Sequence, residues 1–343
     1  MELLKKLSET PGAPGREERV RSLIQKQIQP FVDELKVDEL GNLIGIKYAT
    51  VRTDEAPPRV MIACHMDEIA FYVRHIDKNG FLRVKELGGF DVRNLFARQV
   101  LIQGKKDIVG LMNPAGPPIH VATPEERKKL PKISDFYIDT GLPVEEVKKL
   151  IRPGDPVTLI QEFRTIGDHA TGKCLDNRVA CWVGIRLLEE LSESPYDVHV
   201  AFTVQEEIGV RGAKACAYSI NPDIGIAIDV TLALDVPSTP PEEVITRLGD
   251  GVAIKIMDGL SISDRGLVDA MIESAEDKNI PYQLELLPRG GTDAAGIQLS
   301  RGGVRVITLS VPCRYIHTVT ETIHQGDLRA CVDLLLEYLS PED

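Results

Sequence analysis

Apolar positions near the start of the chain recur at helical spacing over residues 2–8 and again over 16–30 (REERVRSLIQKQIQP), with the breaker PGAPG between them. Pro30 is expected to close the second helix. Two short strands follow, ELKVDE and NLIGIK, joined at Leu40 and Gly41. Residues 59–64 (RVMIAC) form a compact apolar strand that runs into His65. From residue 71 to residue 163 the texture changes to short alternating segments (FYVRHID, GFLRVKEL, RQVLIQG, DIVGLMN, PVTLIQE) punctuated by glycine and proline. Closely spaced strands of this kind predict a small β-barrel or sandwich, interrupted by one helical pattern, PVEEVKKLI. Beyond Gly172 strands and helices alternate: a helix over 177–191, a strand over 198–204, a helix over 211–219 and a strand over 224–229. Strand, helix, strand, helix and strand then lead to Ile316, and a helix over 326–339 closes the chain.

That alternation predicts an α/β fold with a mixed central sheet covered by helices on both faces. The expected division is a catalytic domain over 1–70 and 165–343, with a β-rich domain inserted at 71–164. Composition changes the picture only by exclusion. Forty basic and 52 acidic side chains leave a net charge of −12, the wrong sign for a nucleic-acid surface. No apolar run approaches the roughly 20 residues of a membrane span. Six cysteines with no CxxC pair suit reduced thiols, so a cytoplasmic location is expected.

Five segments carry candidate chemistry: VMIACHMDE, GKCLDNR, AFTVQEEIG, GIAIDVT and SVPCRYIHT. His65, Glu206, Glu207, Asp229 and His317 stand where a strand gives way to a loop, and Asp176 opens a helix. In open α/β sheets ligands collect beyond the carboxyl ends of the strands. Two imidazoles with several carboxylates suit zinc, cobalt or manganese. A workable division gives one metal His65, Asp176 and Asp229, and a second Asp176, Glu207 and His317. Each ion then keeps room for water, and Asp176 bridges them, because ions about 3.5–4 Å apart need a shared anion. Asp67, two residues past His65, is placed to accept the second imidazole N–H. Glu206 diverges from its neighbour Glu207 and stays free as general base. Each residue alone has a blander reading: a strand-end polar histidine, a helix N-cap aspartate, a solvated glutamate pair. The ordered combination favours metal catalysis.

The same blocks, with LSETPGAPGREERVR, TPEERKKLPKISDFYID and RGGTDAAGIQLSRGGV, make the chain resemble the tetrahedral (TET) or deblocking aminopeptidases nearly end to end. That family includes glutamyl aminopeptidases and proteins sometimes labelled endoglucanase. The resemblance implies a di-zinc aminopeptidase-like fold with a small barrel or PDZ-like insertion that mediates dimerisation. It implies two divalent metal ions per subunit on His65, Asp176, Glu207, Asp229 and His317. Glu206 is implied as base and Asp67 as the residue orienting His65. Short peptides are the implied substrates, and dimers are implied to build a tetrahedral dodecamer. Departures are small: Cys64 and Cys174 stand where alanine is common, Ala70 replaces a frequent glycine, and the insertion reads GLMNPAGPPIH. Cys64 and Cys174 are expected to pack as small apolar residues. His75, His120, His169, His199 and His324 are read as surface or core histidines. RGGTDAAG is either a wall of the substrate pocket or a tight turn in which Thr292 or Asp293 caps a helix. Rival functions are a di-metal amidohydrolase on acylated amino acids, a noncatalytic peptide-binding scaffold and a glycosidase, which most often needs no metal.

Overall fold

The computed structural model describes residues 1–51 and 55–341. Its largest feature is an 11-stranded mixed sheet. Four neighbouring strands in its middle, Asp197–Thr203, Arg59–His65, Ile224–Leu232 and Arg305–Arg314, run parallel in that order. All four are almost continuously buried, as strands covered on both faces must be. Antiparallel strands Leu43–Lys47 and Glu34–Val37 extend one edge. Glu321–His324, His169–Gly172 and Arg164–Ile166 extend the other. Val252–Met257 pairs antiparallel with Arg305–Arg314 and carries Tyr282–Leu286 at its side.

Alternation along a strand sends successive side chains to opposite faces. Val60, Ile62 and Cys64 enter one core with Val179, Val183 and Leu335 from helices Leu175–Glu190 and Gln325–Leu339. Met61 and Ala63 enter a second core with Ala213 and Ala217 from Arg211–Ile220 and Ile297 from Asp293–Gln298. The sheet is thus sandwiched by helices, as the alternation predicts. Between Arg59–His65 and the later strands, a closed antiparallel barrel runs Ala70–Ile76, Leu82–Leu87, Phe136–Asp139, Asp107–Pro114, Arg98–Gln103, Pro156–Leu159. Phe71, Val84, Val100, Ile102 and Ile138 fill its interior.

Three features differ from the sequence pattern. The second helix spans Glu18–Ile28, and Pro30 lies in a 3-10 turn, Gln29–Phe31. The barrel segment holds an extra short helix, Pro124–Lys128, because Thr123 and Glu126 form a reciprocal cap. The edge strands after residue 163 and at 321–324 leave no sequence pattern, since strands of 3 or 4 residues show too few positions for a period. Among the described residues no helix is long and apolar enough to cross a membrane.

Candidate metal centre

Four of the expected residues arrive on parallel strands. His65 is the last residue of Arg59–His65, and Asp229 lies near the end of Ile224–Leu232. Glu207 follows Asp197–Thr203 by a short turn, and His317 follows Arg305–Arg314. Because these strands are neighbours and point the same way, their ends form one rim. Asp176 reaches it from the opening of helix Leu175–Glu190, where Asp176 and Asn177 have non-helical backbone angles. The side-chain amide of Asn177 donates to Ile228 O at 2.8 Å, tying this opening to the strand that bears Asp229.

The two oxygens of Asp176 face different imidazoles. Oδ1 is 3.3 Å from His65 Nε2, and Oδ2 is 3.4 Å from His317 Nε2. His65 Nε2 is also 3.9 Å from Asp229 Oδ1, and His317 Nε2 is 3.4 Å from Glu207 Oε2. Two sets of three donors result, His65–Asp176–Asp229 and Asp176–Glu207–His317, each with ligand atoms within 4.8 Å of one another. Asp176 belongs to both. Asp67 lies 3.6 Å from His65 Nδ1, an ion-pair contact longer than a hydrogen bond, and Nδ1 has no hydrogen-bond partner. The Asp67 oxygens instead accept the N–H groups of Glu206 (2.9 Å) and Glu207 (3.1 Å). Glu206 stands outside both donor sets and lines the same open cavity, of ≈ 420 Å³.

Electrostatics fit a place built for cations. Burial works against charge on Asp176, but hydrogen bonds from His317 and His65 overcome it and hold the carboxyl below its usual range. Burial also opposes the charged form of His317, yet Asp176 and Glu207 push its pKa up to about 12. His65 is likewise raised, against burial, by Asp176 and Asp67. Burial drives Glu206 and Asp229 well above the usual carboxylate range.

Several participants carry little signal in the sequence. Glu321, 1% exposed, accepts Asp176 N on one oxygen (2.9 Å) and His317 N on the other (2.8 Å), bracing a residue of each donor set. Nothing in the segment TETIH marks it as different from an ordinary strand glutamate. Lys255, 1% exposed, lines the cavity and lies 3.0 Å from Glu285. The only sequence signal was a charge inside the apolar run VAIKIM. Of the two readings of RGGTDAAG, the helix cap is seen directly, the Thr292 hydroxyl accepting Ala294 N at the start of Asp293–Gln298, while Gly290, Gly291 and Thr292 also line the cavity. Asp293 turns inward to accept from the Thr203 hydroxyl. Cys64 and Cys174 are buried and belong to neither donor set, and His324 caps the last helix.

Residues 41–334 match the family described as M42 glutamyl aminopeptidase. The chain belongs to that family. Like its other members, it is a hydrolase of the peptidase class, from a family whose divalent-metal use agrees with the two donor sets. It is 32% identical over 351 residues to the lysyl aminopeptidase of Pyrococcus furiosus, covering 100% of this chain and 98% of that one. Among solved structures, an aminopeptidase of the archaeon Desulfurococcus kamchatkensis superposes with TM-score 0.93 at 37% identity, covering 99% and 94% of the two chains. The TET1 peptidase of Pyrococcus horikoshii, described as assembling into a tetrahedron or a large octahedral shell, gives TM-score 0.87 at 32% identity over 99% of each chain. The M42 relationship thus spans the sheet, the barrel and the rim.

Proposed function

We propose that this M42 chain is a metal-dependent aminopeptidase that removes N-terminal residues from short peptides, with two divalent ions per subunit and Glu206 as general base. The observation that carries the reading is the division of the Asp176 oxygens between two imidazoles, at 3.3 and 3.4 Å. The residues present fit such ions. Nitrogen and oxygen donors converge without a thiolate, which suits zinc, cobalt or manganese. Glu207 Oε1 is buried without a hydrogen-bond partner, a cost that a cation would remove. His65, Asp176 and Asp229 would hold one ion; Asp176, Glu207 and His317 would hold the other. Bound there, divalent ions supply Lewis-acid polarisation of the scissile carbonyl and lower the pKa of water.

The chain's own groups do the proton work. Glu206 stands outside both donor sets on the cavity wall, where it accepts a proton from water and returns it to the leaving amine. Asp67 fixes the backbone of both glutamates, which keeps Glu206 free while Glu207 faces His317. We assign the barrel region, 71–164, to dimer contacts and the dimers to a dodecameric shell, supported by the tetrahedron described for the relative from P. horikoshii. Six buried free cysteines support a reducing, cytoplasmic setting.

The test is metal analysis with a panel of aminoacyl-p-nitroanilides and their N-acylated counterparts, with and without EDTA. Chelation should abolish turnover, and only free-amine substrates should react. Glu206→Gln should keep its metal and lose roughly 10²–10⁴-fold in kcat. Turnover of acylated substrates would move the assignment to an amidohydrolase, and bound metal without turnover on any substrate would leave a scaffold.

A further inference from the structure

Four consecutive N–H groups in the turn that carries Glu206 end on side chains from distant parts of the chain. Val204 N donates to Asn42 Oδ1 at 2.9 Å, and Gln205 N to Glu17 Oε1 at 3.3 Å. Glu206 N and Glu207 N donate to the two oxygens of Asp67 at 2.9 and 3.1 Å. All three acceptor residues are buried, Asn42 and Asp67 at 0% exposure and Glu17 at 3%. Gln205 needs its partner most, because its φ of +56° lies in the left-handed region that side-chain-bearing residues rarely adopt. A backbone kept there persists only where its surroundings over-determine it. The same Glu17 oxygen accepts Gly15 N at 2.7 Å, which ties the PGAPG segment to the turn.

We infer that Glu17 is a positioning residue for Glu206. Its carboxylate reaches in from the N-terminal segment, fixes the backbone of Gln205, and so sets the direction in which the next side chain leaves. The inference rests on the reading of Glu206 as the base. Glu17 belongs to neither donor set, so its loss should disturb aim and leave metal binding intact. Proton transfer depends steeply on alignment, and a displacement of about 1 Å is enough to cost on the order of 10²-fold in rate.

Two substitutions in the full-length, metal-loaded enzyme separate this role from a general structural one. Glu17→Gln keeps an oxygen where both N–H groups land, while Glu17→Leu offers none. Burial and the nearby Asp67 already push the Glu17 carboxyl up to about 7, so exchange for a neutral amide is a mild change of charge. Glu17→Leu should lose roughly tenfold or more in kcat, with KM within about twofold and metal content at the parent level. Glu17→Gln should stay within about threefold of the parent, and Glu17→Leu should add no further loss in a Glu206→Gln background. If Glu17→Leu does not fold, Glu17→Asp, which withdraws the acceptor by one methylene, is read in the same way.

Three results would overturn the inference: kcat of Glu17→Leu within about threefold of the parent, Glu17→Gln falling as far as Glu17→Leu, or kcat and metal content falling together. Near-normal turnover of Glu206→Gln alone removes the base reading and this inference with it. A normal Glu206→Gln loss beside an unaffected Glu17→Leu removes this inference only.

Discussion

Asp176→Asn divides the two donor sets, because the amide keeps one oxygen and replaces the other with a group that only donates. In the native side chain Oδ1 faces His65 at 3.3 Å and Oδ2 faces His317 at 3.4 Å. Whichever way the amide turns, one set falls from three acceptor-type residues to two. Losing a group that merely supports a ligand costs about 10–100-fold in metal affinity, so losing a direct ligand and its charge should exceed about 100-fold, or about 2.8 kcal/mol. The other ion should weaken less, since it loses only the shared negative charge. After dialysis against low-micromolar zinc, elemental analysis should find about one ion per subunit in Asp176→Asn and about two in the parent. Thermal unfolding supplies a second readout, because a site held at a hundred times its Kd contributes about 2.7 kcal/mol that the variant should lack. Two ions retained at unchanged affinity would refute the shared-carboxylate arrangement, and with it the reason for setting the two histidines on opposite sides of one residue.

Two more outcomes follow from the same geometry. Glu321→Gln places an amide donor against Asp176 N or His317 N, and competition with a chromophoric chelator should show metal bound about 10–100-fold more weakly; affinity within about twofold of the parent would remove Glu321 from the site's support. The pH dependence of the chelated protein has a definite sign. His317 is raised from its ordinary 6.5 to about 12, so the proton it holds stabilises the metal-free fold fully below the ordinary value and is lost as pH rises toward the raised one. Metal requires the imidazoles without those protons and gains with rising pH. The gap in Tm between metal-loaded and EDTA-treated protein should therefore widen from pH 6.5 upward; a gap that narrows would contradict the proton-for-metal exchange.

Much of the fold was legible because its signals are local. RVMIAC and AFTV are apolar runs of strand length that end at His65 and just before Gln205, and GIAI runs into Asp229, three residues before its strand ends at Leu232. Such runs report burial on both faces, and α/β alternation reports how strands are joined, so a rim of strand ends follows from pattern alone. The extra helix at Pro124–Lys128 has only the capping box in TPEE as a local signal, because its 5 residues span too few turns for apolar periodicity.

The residue types and spacing along the chain by themselves determined the chemistry on offer: imidazoles and carboxylates at strand ends, a paired glutamate, and no thiolate cluster. Only the tertiary structure decided how those groups are held. Glu321, Glu17 and Asn42 act through backbone N–H groups far away in sequence, at separations of 145, 188 and 162 residues. Asp67, expected to accept the second imidazole N–H of His65, lies 3.6 Å from it and spends its hydrogen bonds on the turn of Glu206 and Glu207. The physical reason is that any buried carboxylate seeks donors, while which donors it meets depends on the packing of the whole sheet.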